Sequence, residues 1–414
     1  MTLAQRIAYM FAHGEQGAWY DPSDLPTLFQ DTAGTVPVTA VEQDVALMLD
    51  KSGRGNHASQ ATSTKRPKYS RRVNLLTSTE DFSGAAWKRT AAPGAGTASA
   101  PVVISNDDGQ ADKVTFDATG AGISSLSRSF GYSVASYAGF VRLKAATPGD
   151  VGKIVAFRHA SGGAYLLITL TSEYQVVGRN ETTATTYTGE YVLCTRPSVG
   201  TSSGPVAVHL AYASLTLAID AHLPYQWGNT ATDYDADPAK FPAYLSFDGV
   251  DDALSTSSID FTGTDKMTVW AGVTKLSDAA VVVVAELDIT IFLGGFYMAA
   301  PNSVGPTFGF ASKGTVQASP TQSGHAAPKN AVLTGIGDIS GDIASLRVNG
   351  VAETVNTDQG TGNYRNIPLY IGARAGTSLF FNGRLYQLIV RGAQSSLSQI
   401  EAVENLIRKT MRLP

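Results

Sequence analysis

The 414-residue chain predicts an all-β protein of the sandwich or jelly-roll type, with a short helix at each terminus. Two observations carry this. Charged residues make up only 16% of the chain, while Gly, Ser, Thr and Ala abound, a mix that suits short strands and turns. Apolar, β-branched runs with partial alternation recur along two long stretches, separated by Gly, Ser, Asp and Pro clusters.

The elements follow in order. "MTLAQRIAYMFAHGEQG" is read as an amphipathic helix with Leu3, Ile7, Met10 and Phe11 on one stripe. Gln5 and Arg6 break its apolar part and no small-residue cleavage site follows, so it is not read as a signal peptide. From Val73 to Leu223, "ISSLSRSF", "SYAGFVRLKA", "KIVAFRHA", "AYLLITLT", "YQVVGR", "TGEYVLCTRPSV" and "VAVHLAYASLTLAI" read as strands. "AAPGAGTASAP" between them has no periodicity and is a loop. A second strand run spans Ala243 to Gly392, and Asn349-Gly350 within it fits a type I′ hairpin turn. The chain closes in a helix, with Ser396 or Ser398 as N-cap and Glu401 three residues after Ser398. Ile400, Val403, Ile407 and Met411 make its apolar stripe.

Bulk properties exclude several classes. The formal net charge of -4 argues against a nucleic-acid partner. No stretch reaches the roughly eighteen apolar residues of a membrane span. Cys194 is the only cysteine, so neither an intrachain disulfide nor a cysteine metal cluster is available.

Three stretches resemble a laminin-G-like, concanavalin-A-type lectin domain. They are "YLSFDGVDDALST" (Tyr244 to Thr256), "SLRVNGV", and the ending "LYIGARAGTSLFFNGRLYQLIVRGAQSSLSQIEAVENLIRK". The segments "AWYDPSDL" (Ala18 to Leu25), "DKSGRGNHASQ" (Asp50 to Gln60) and "KRPKYS" resemble the opening of such domains in phage proteins, where they lead directly into the "YLxFDGxDD" strand. Here that strand begins about 170 residues later. In between lie "NLLTSTEDFSGAAW" and "LPYQWGNTATDYDAD", which resemble the two ends of a carbohydrate-binding-module-like β-sandwich of phage virion proteins. The resemblance implies two sandwiches, one nested in the other. It gives a helical anchor over 1–17, a lectin-like domain over 18–72 plus 240–414, and an inserted sandwich over 73–239. Insertion at an exposed loop is tolerated because closure entropy grows slowly with length.

Several motifs look chemical. In "DKSGRGNHASQ" Asp50 and His57 suggest an acid–base pair, but Gly53, Gly55 and Asn56 supply a turn, and His57 is expected to satisfy backbone groups. "AELDITIF" places Glu286 and Asp288 on one strand face. It resembles the E-x-D-x-x-E strand of concanavalin-A-type glycoside hydrolases, where two carboxyls about 5–5.5 Å apart give retention. The third acid is replaced by Ile291, so no proton donor remains. "GTSSG" around Ser202 fits G-x-S-x-G but is followed by a strand, not a helix. No catalytic residue is expected. "DYDAD" sets Asp233, Asp235 and Asp237 at alternate positions and is the candidate calcium site, although no EF-hand spacing is present; "FDGVDD" adds Asp248, Asp251 and Asp252. Lys65 to Arg72 form a basic run between the domains. Trp270 alternates within a strand and is expected in the core, whereas Trp87 and Trp227 at the ends of the inserted sandwich are the candidate sugar-stacking residues.

The resemblance implies a non-enzymatic structural protein on the exterior of a bacteriophage particle: capsid decoration, head fibre, tail or collar component. It would contact other virion proteins, assemble as a homo-oligomer, by analogy a trimer, and possess some affinity for host-surface glycan. Leu3, Ile7, Met10, Phe11, Trp19 and Tyr20 would form the anchor or oligomer contact. No cofactor beyond the candidate calcium is expected. The alternative is a dedicated host-glycan-binding adhesin, and after it a glycoside hydrolase using Glu286 and Asp288.

Overall fold

The structure, a computed structural model, describes residues 3–160, 164–287 and 293–414. Two compact units emerge, Met1–Arg71 with Phe241–Pro414, and Arg72–Lys240. Among the described residues every paired strand is antiparallel, and the fold class is all-β with one helix near each terminus.

The discontinuous unit is a sandwich of two sheets. One runs Val351–Val355, Ile343–Val348, Lys329–Asp338, Lys266–Lys275, Asn382–Arg391, Tyr244–Asp248 and Lys68–Ser70, with Gly17–Tyr20 also pairing along Asn382–Arg391. The other centres on Leu254–Asp260, Asn366–Ile371, Val283–Leu287, Gly295–Ala299 and Phe308–Lys313. Their facing side chains, among them Val269, Leu333 and Leu385 from the first sheet and Ala285, Met298, Phe310 and Ile371 from the second, form one buried core. Alternation along each strand sends these residues inward and their neighbours outward. The Asn349-Gly350 turn has φ of 50° and 89° and joins Val348 directly opposite Val351, as a type I′ hairpin requires.

The outer face of the first sheet is covered by both helices. Ile7, Met10, Phe11 and Trp19 pack with Ile400, Val403, Ile407 and Met411 over Trp270, Val332, Tyr386 and Ile389. The C-terminal helix Leu397–Thr410 is capped by Ser396, whose hydroxyl accepts from the Gln399 amide, while the Gln399 side chain accepts from the Ser396 amide. The capping box is therefore Ser396–Gln399 and not Ser398–Glu401. The helix sits close because Gly272 lies beneath it: a Cβ there would stand 2.4 Å from Ile407 Cγ2. From the first seventeen residues, Ile7, Met10 and Phe11 help to close this layer.

The inserted unit is a second sandwich. One sheet runs Gln175–Thr182, Ser136–Ala145, Gly204–Leu217, Asp112–Ala118 and Ala98–Ile104. The other runs Leu166–Thr169, Ile154–Arg158, Tyr187–Thr195, Ile123–Tyr132 and Lys88–Ala92. Strict alternation of buried and half-buried residues along Asp112–Ala118 shows one face inward and one outward. The two ends of this unit close on each other. Val73 and Asn74 donate their amides to Gln226 Oε1 at 2.8 and 3.0 Å, and Asn74 Nδ2 donates to the Gln226 carbonyl at 2.8 Å. Ser78 and Thr79 then pair with Asn229 and Gly228.

Candidate functional site

The turn "DKSGRGNHASQ" is structural. The Asp50 carboxylate accepts from the amides of Trp19, Ser52 and Asn56 and from the Ser52 hydroxyl, all within 2.7–3.0 Å. His57 Nδ1 accepts from the Asp50 amide at 2.9 Å. Gly53 and Gly55 take φ of 83° and 75°, which only glycine adopts at little cost. Lys51 meets Asp21 at 3.0 Å and Asp24 at 2.6 Å and lies over the Trp19 ring. "WYDPSD" and "DKSGRGN" are thus two halves of one knot, in which Asp50 and His57 hold backbone amides.

The remaining sequence candidates separate cleanly. Glu286 is fully buried and its Oε1 meets Arg374 Nε at 3.0 Å; Asp288 lies outside the described residues. Ser202 Oγ accepts the Ile154 amide and the strand Gly204–Leu217 follows, so it is no nucleophile elbow. The basic run is hydrogen-bonded within the chain, Arg66 to the carbonyls of Gln30, Gln60 and Ala61, and Arg71 to the Phe241 carbonyl.

At Asp233, Asp235 and Asp237, the candidate calcium residues, each carboxylate has a partner within the chain. Asp233 accepts from Asn229 Nδ2. Asp235 takes the Asp237 amide and Lys240, and Asp237 takes the Ala239 amide. Alternate side chains diverge, and local amides and one lysine already claim them. Among the described residues the carboxylates that converge are Asp248, Asp251 and Asp252, within 4.8 Å of one another. Burial first, and then the charges of Asp248, Asp251 and Asp44, push the Asp252 carboxyl up to about 7. The folded state therefore holds this proton more tightly than the unfolded chain, and stability falls as pH rises from about 4 to about 7. Asp252→Asn keeps an oxygen for the Asp248 amide, which Asp252 accepts at 3.0 Å. The variant is expected to gain about 1–2 kcal/mol at pH 8 and nothing at pH 4. Thermal melting at the two pH values checks this; an equal shift at both would assign the gain to another cause.

The anchor residues are packed within their own unit. Ile7, Met10, Phe11 and Trp19 lie under the C-terminal helix and Tyr20 in the main core. For Leu3 the structure gives its place at the start of the helix Leu3–Tyr9. Ile7, Met10, Phe11, Trp19 and Tyr20 are thus buried within their own unit.

The two tryptophans of the inserted unit part company. Trp87 is 2% exposed. Its ring packs on Phe82 at 5.0 Å and Tyr191 at 5.9 Å, and its Nε1 donates to the Ser78 carbonyl at 2.8 Å. It offers no face to a sugar. Trp227 is 37% exposed and walls an open cleft of about 330 Å³ with Ser78, Glu80, Asp81, Ser105 and Asn229. The cleft arises where the segment 74–80 pairs with 226–229. The Asp235 amide donates to the Trp227 carbonyl at 2.9 Å, fixing the backbone behind the indole. Burial lifts the Glu80 carboxyl, while the Tyr225 hydroxyl donating to it at 3.0 Å pulls the other way. An aromatic plane beside hydroxyls, an amide and carboxylates suits a ligand with an apolar face and a rim of hydroxyls.

No family model matches the chain, and no curated protein matches it. Solved structures that are similar to it include the botulinum neurotoxin serotype D binding domain, at 9% identity and a TM-score of 0.32 over 39% of this chain and 42% of that one. Another is the Ruminococcus gnavus IT-sialidase CBM40, at 14% identity and a TM-score of 0.28, over 34% of this chain and 83% of that one. A third is the native heptameric SAP-like pentraxin from Limulus polyphemus, at 12% identity and a TM-score of 0.32, over 39% and 82%. The match spans less than half the length of the botulinum chain.

Proposed function

We propose that the chain is a non-catalytic glycan-binding protein and that the Arg72–Lys240 unit does the binding. The observation that carries this is the half-exposed Trp227 indole walling an open cleft of hydroxyls, an amide and carboxylates. A pyranose stacks its apolar face on such a plane while its hydroxyls exchange hydrogen bonds with the rim. The acids there sit as acceptors without the geometry of a catalytic pair. Asp112 takes the amides of Phe82 and Asn106, and Asp81 takes the Gly84 amide and the Ser83 hydroxyl.

The place of work is the exterior of a bacteriophage particle, as a structural component in contact with other virion proteins. That part rests on the order of "WYDPSD", "DKSGRGNHASQ", "NLLTSTEDFSGAAW" and "YLSFDGVDD" along the chain. Function lives in sites rather than folds, so the test addresses both parts. The purified full chain is offered to a panel of bacterial surface glycans, to host cells and to empty capsids. Binding to glycan and capsid is expected, and Trp227→Ala is expected to cost about 2 kcal/mol, roughly thirtyfold in glycan affinity. A panel without a single binder overturns the glycan reading; capsids left bare overturn the virion placement.

A further inference from the structure

On the other side of Tyr225 lies a second groove, of about 150 Å³, lined by Phe140, Val176, Tyr212, Ser214, Thr216 and Tyr225. It runs over the outer face of the sheet. Along Ser136–Ala145, Tyr137, Val141 and Leu143 are buried inward, while Phe140, Arg142 and Lys144 face out. Register places Ser214 opposite Phe140, and Tyr212 and Val176 on either side of Arg142. The rings of Tyr212 and Tyr225 stack at 3.8 Å and 7°. The Tyr225 hydroxyl meets Thr79 Oγ1 at 2.7 Å and Glu80 Oε1 at 3.0 Å, and both of those residues line the Trp227 cleft. Tyr225 thus lines this groove and hydrogen-bonds two residues that line the other.

The two sides differ in charge. The Trp227 side carries Glu80, Asp81 and Asp112. On the other side the basic side chains differ in their partners. Lys144 is neutralised by Asp108 at 2.9 Å, and His209 Nε2 is 2.9 Å from Asp107. The Arg142 side chain has no hydrogen bond or ion pair among the described residues; its guanidinium lies 4.3 Å from the centre of the Tyr174 ring. That ring is itself fixed, because the Tyr174 hydroxyl donates to Asp108 at 2.9 Å. A planar fork of donors held on an aromatic plate, beside a groove floored by tyrosines and hydroxyls, suits bidentate capture of a carboxylate or phosphate.

Resting on the glycan reading, we infer that the two clefts form one extended saccharide site and that Arg142 selects an acidic sugar residue on the Tyr212 side. The carboxylates around Trp227 repel such a residue there, so the chain binds in one direction, with a neutral unit on Trp227 and an anionic unit near Arg142. The ligand class is an oligosaccharide bearing a carboxylate or phosphate, not a single neutral sugar.

The test is calorimetric titration of the full chain with matched pairs. Oligogalacturonate is set beside its methyl ester, and a phosphate-bearing bacterial oligosaccharide beside its dephosphorylated form. At least one acidic member is expected to bind about tenfold or more tightly than its neutral partner, with the advantage shrinking as salt rises. The pair that shows it tells carboxylate from phosphate. Arg142→Gln is expected to erase that advantage by weakening the acidic member about tenfold more than the neutral one, and to leave the melting temperature unchanged. Trp227→Ala weakens both members. If acidic and neutral members bind alike, or Arg142→Gln weakens both equally, the acidic subsite is overturned while a Trp227-dependent affinity keeps the glycan reading standing. If the wild-type chain binds no member of either pair, the acidic subsite falls; only an equally empty surface-glycan panel removes the broader reading.

Discussion

Trp87→Ala is expected to destabilise the Arg72–Lys240 unit by about 3–5 kcal/mol and to leave glycan affinity untouched in whatever fraction stays folded. The indole is sealed between Phe82 and Tyr191, and its nitrogen holds the Ser78 carbonyl. Truncation leaves a cavity and strips that carbonyl of its donor. Ser78 also pairs with Asn229 at the seam, so the loss reaches the strands that frame the Trp227 cleft. Scanning calorimetry of the full chain reads the effect, with Trp227→Ala as the comparison. The exposed indole is expected to cost less than about 1 kcal/mol in stability. The opposite pattern, lost binding with an unchanged melt for Trp87→Ala, would return Trp87 to the sugar-stacking role that the sequence suggested.

Arg347→Ala is expected to cost the discontinuous unit about 3 kcal/mol or more. Glu404, on the buried side of the C-terminal helix, receives Arg347 Nε at 2.7 Å, Arg347 Nη2 at 3.1 Å and the Thr334 hydroxyl at 2.8 Å. Removing the guanidinium leaves a desolvated carboxylate with one hydroxyl beside it. Changing both partners, Arg347→Met with Glu404→Leu, should be milder than the single change, because no charge is left behind. Denaturant unfolding of the single and the double variant beside the wild type decides it. A single variant as stable as the wild type would mean that the helix is held by its apolar stripe alone.

Local signals in the sequence carried far, and long-range ones did not. Asn349-Gly350 announces its hairpin because both residues tolerate positive φ and apolar alternation flanks them. The C-terminal helix shows in its stripe, and Ser396 is one of its two candidate caps; its partner is Gln399 and not Glu401, since both lie within one turn of several serines. Trp87 and Trp227 look alike in sequence, each next to polar residues at an end of the inserted unit. What separates them is the pairing of 74–80 with 226–229, some 150 residues apart in the chain, which no local pattern encodes. The groove at Tyr212 went unread for the same reason. Alternation in "SYAGFVRLKA" shows that Phe140, Arg142 and Lys144 share a face, but not that Tyr212, Ser214 and Tyr225 lie beside them. Lys144 and Arg142 differ functionally only through Asp108, a loop residue on another segment.

The pairing of Gly17–Tyr20 with Asn382–Arg391 sets Tyr20 opposite Leu388. During synthesis that early strand leaves the ribosome long before its partner exists. At about 5–20 residues per second the wait is roughly 20–70 s. The Arg72–Lys240 unit has all its strands once Lys240 emerges, so it can fold while the outer sandwich is still an unpaired arm and an untranslated message. A slow stretch of codons after residue 240 would lengthen the life of that arm, with its exposed Trp19 and Tyr20, without touching the inserted unit. Chain order therefore completes the interrupting segment first, while the sandwich it interrupts has all its strands only when Arg391 is made.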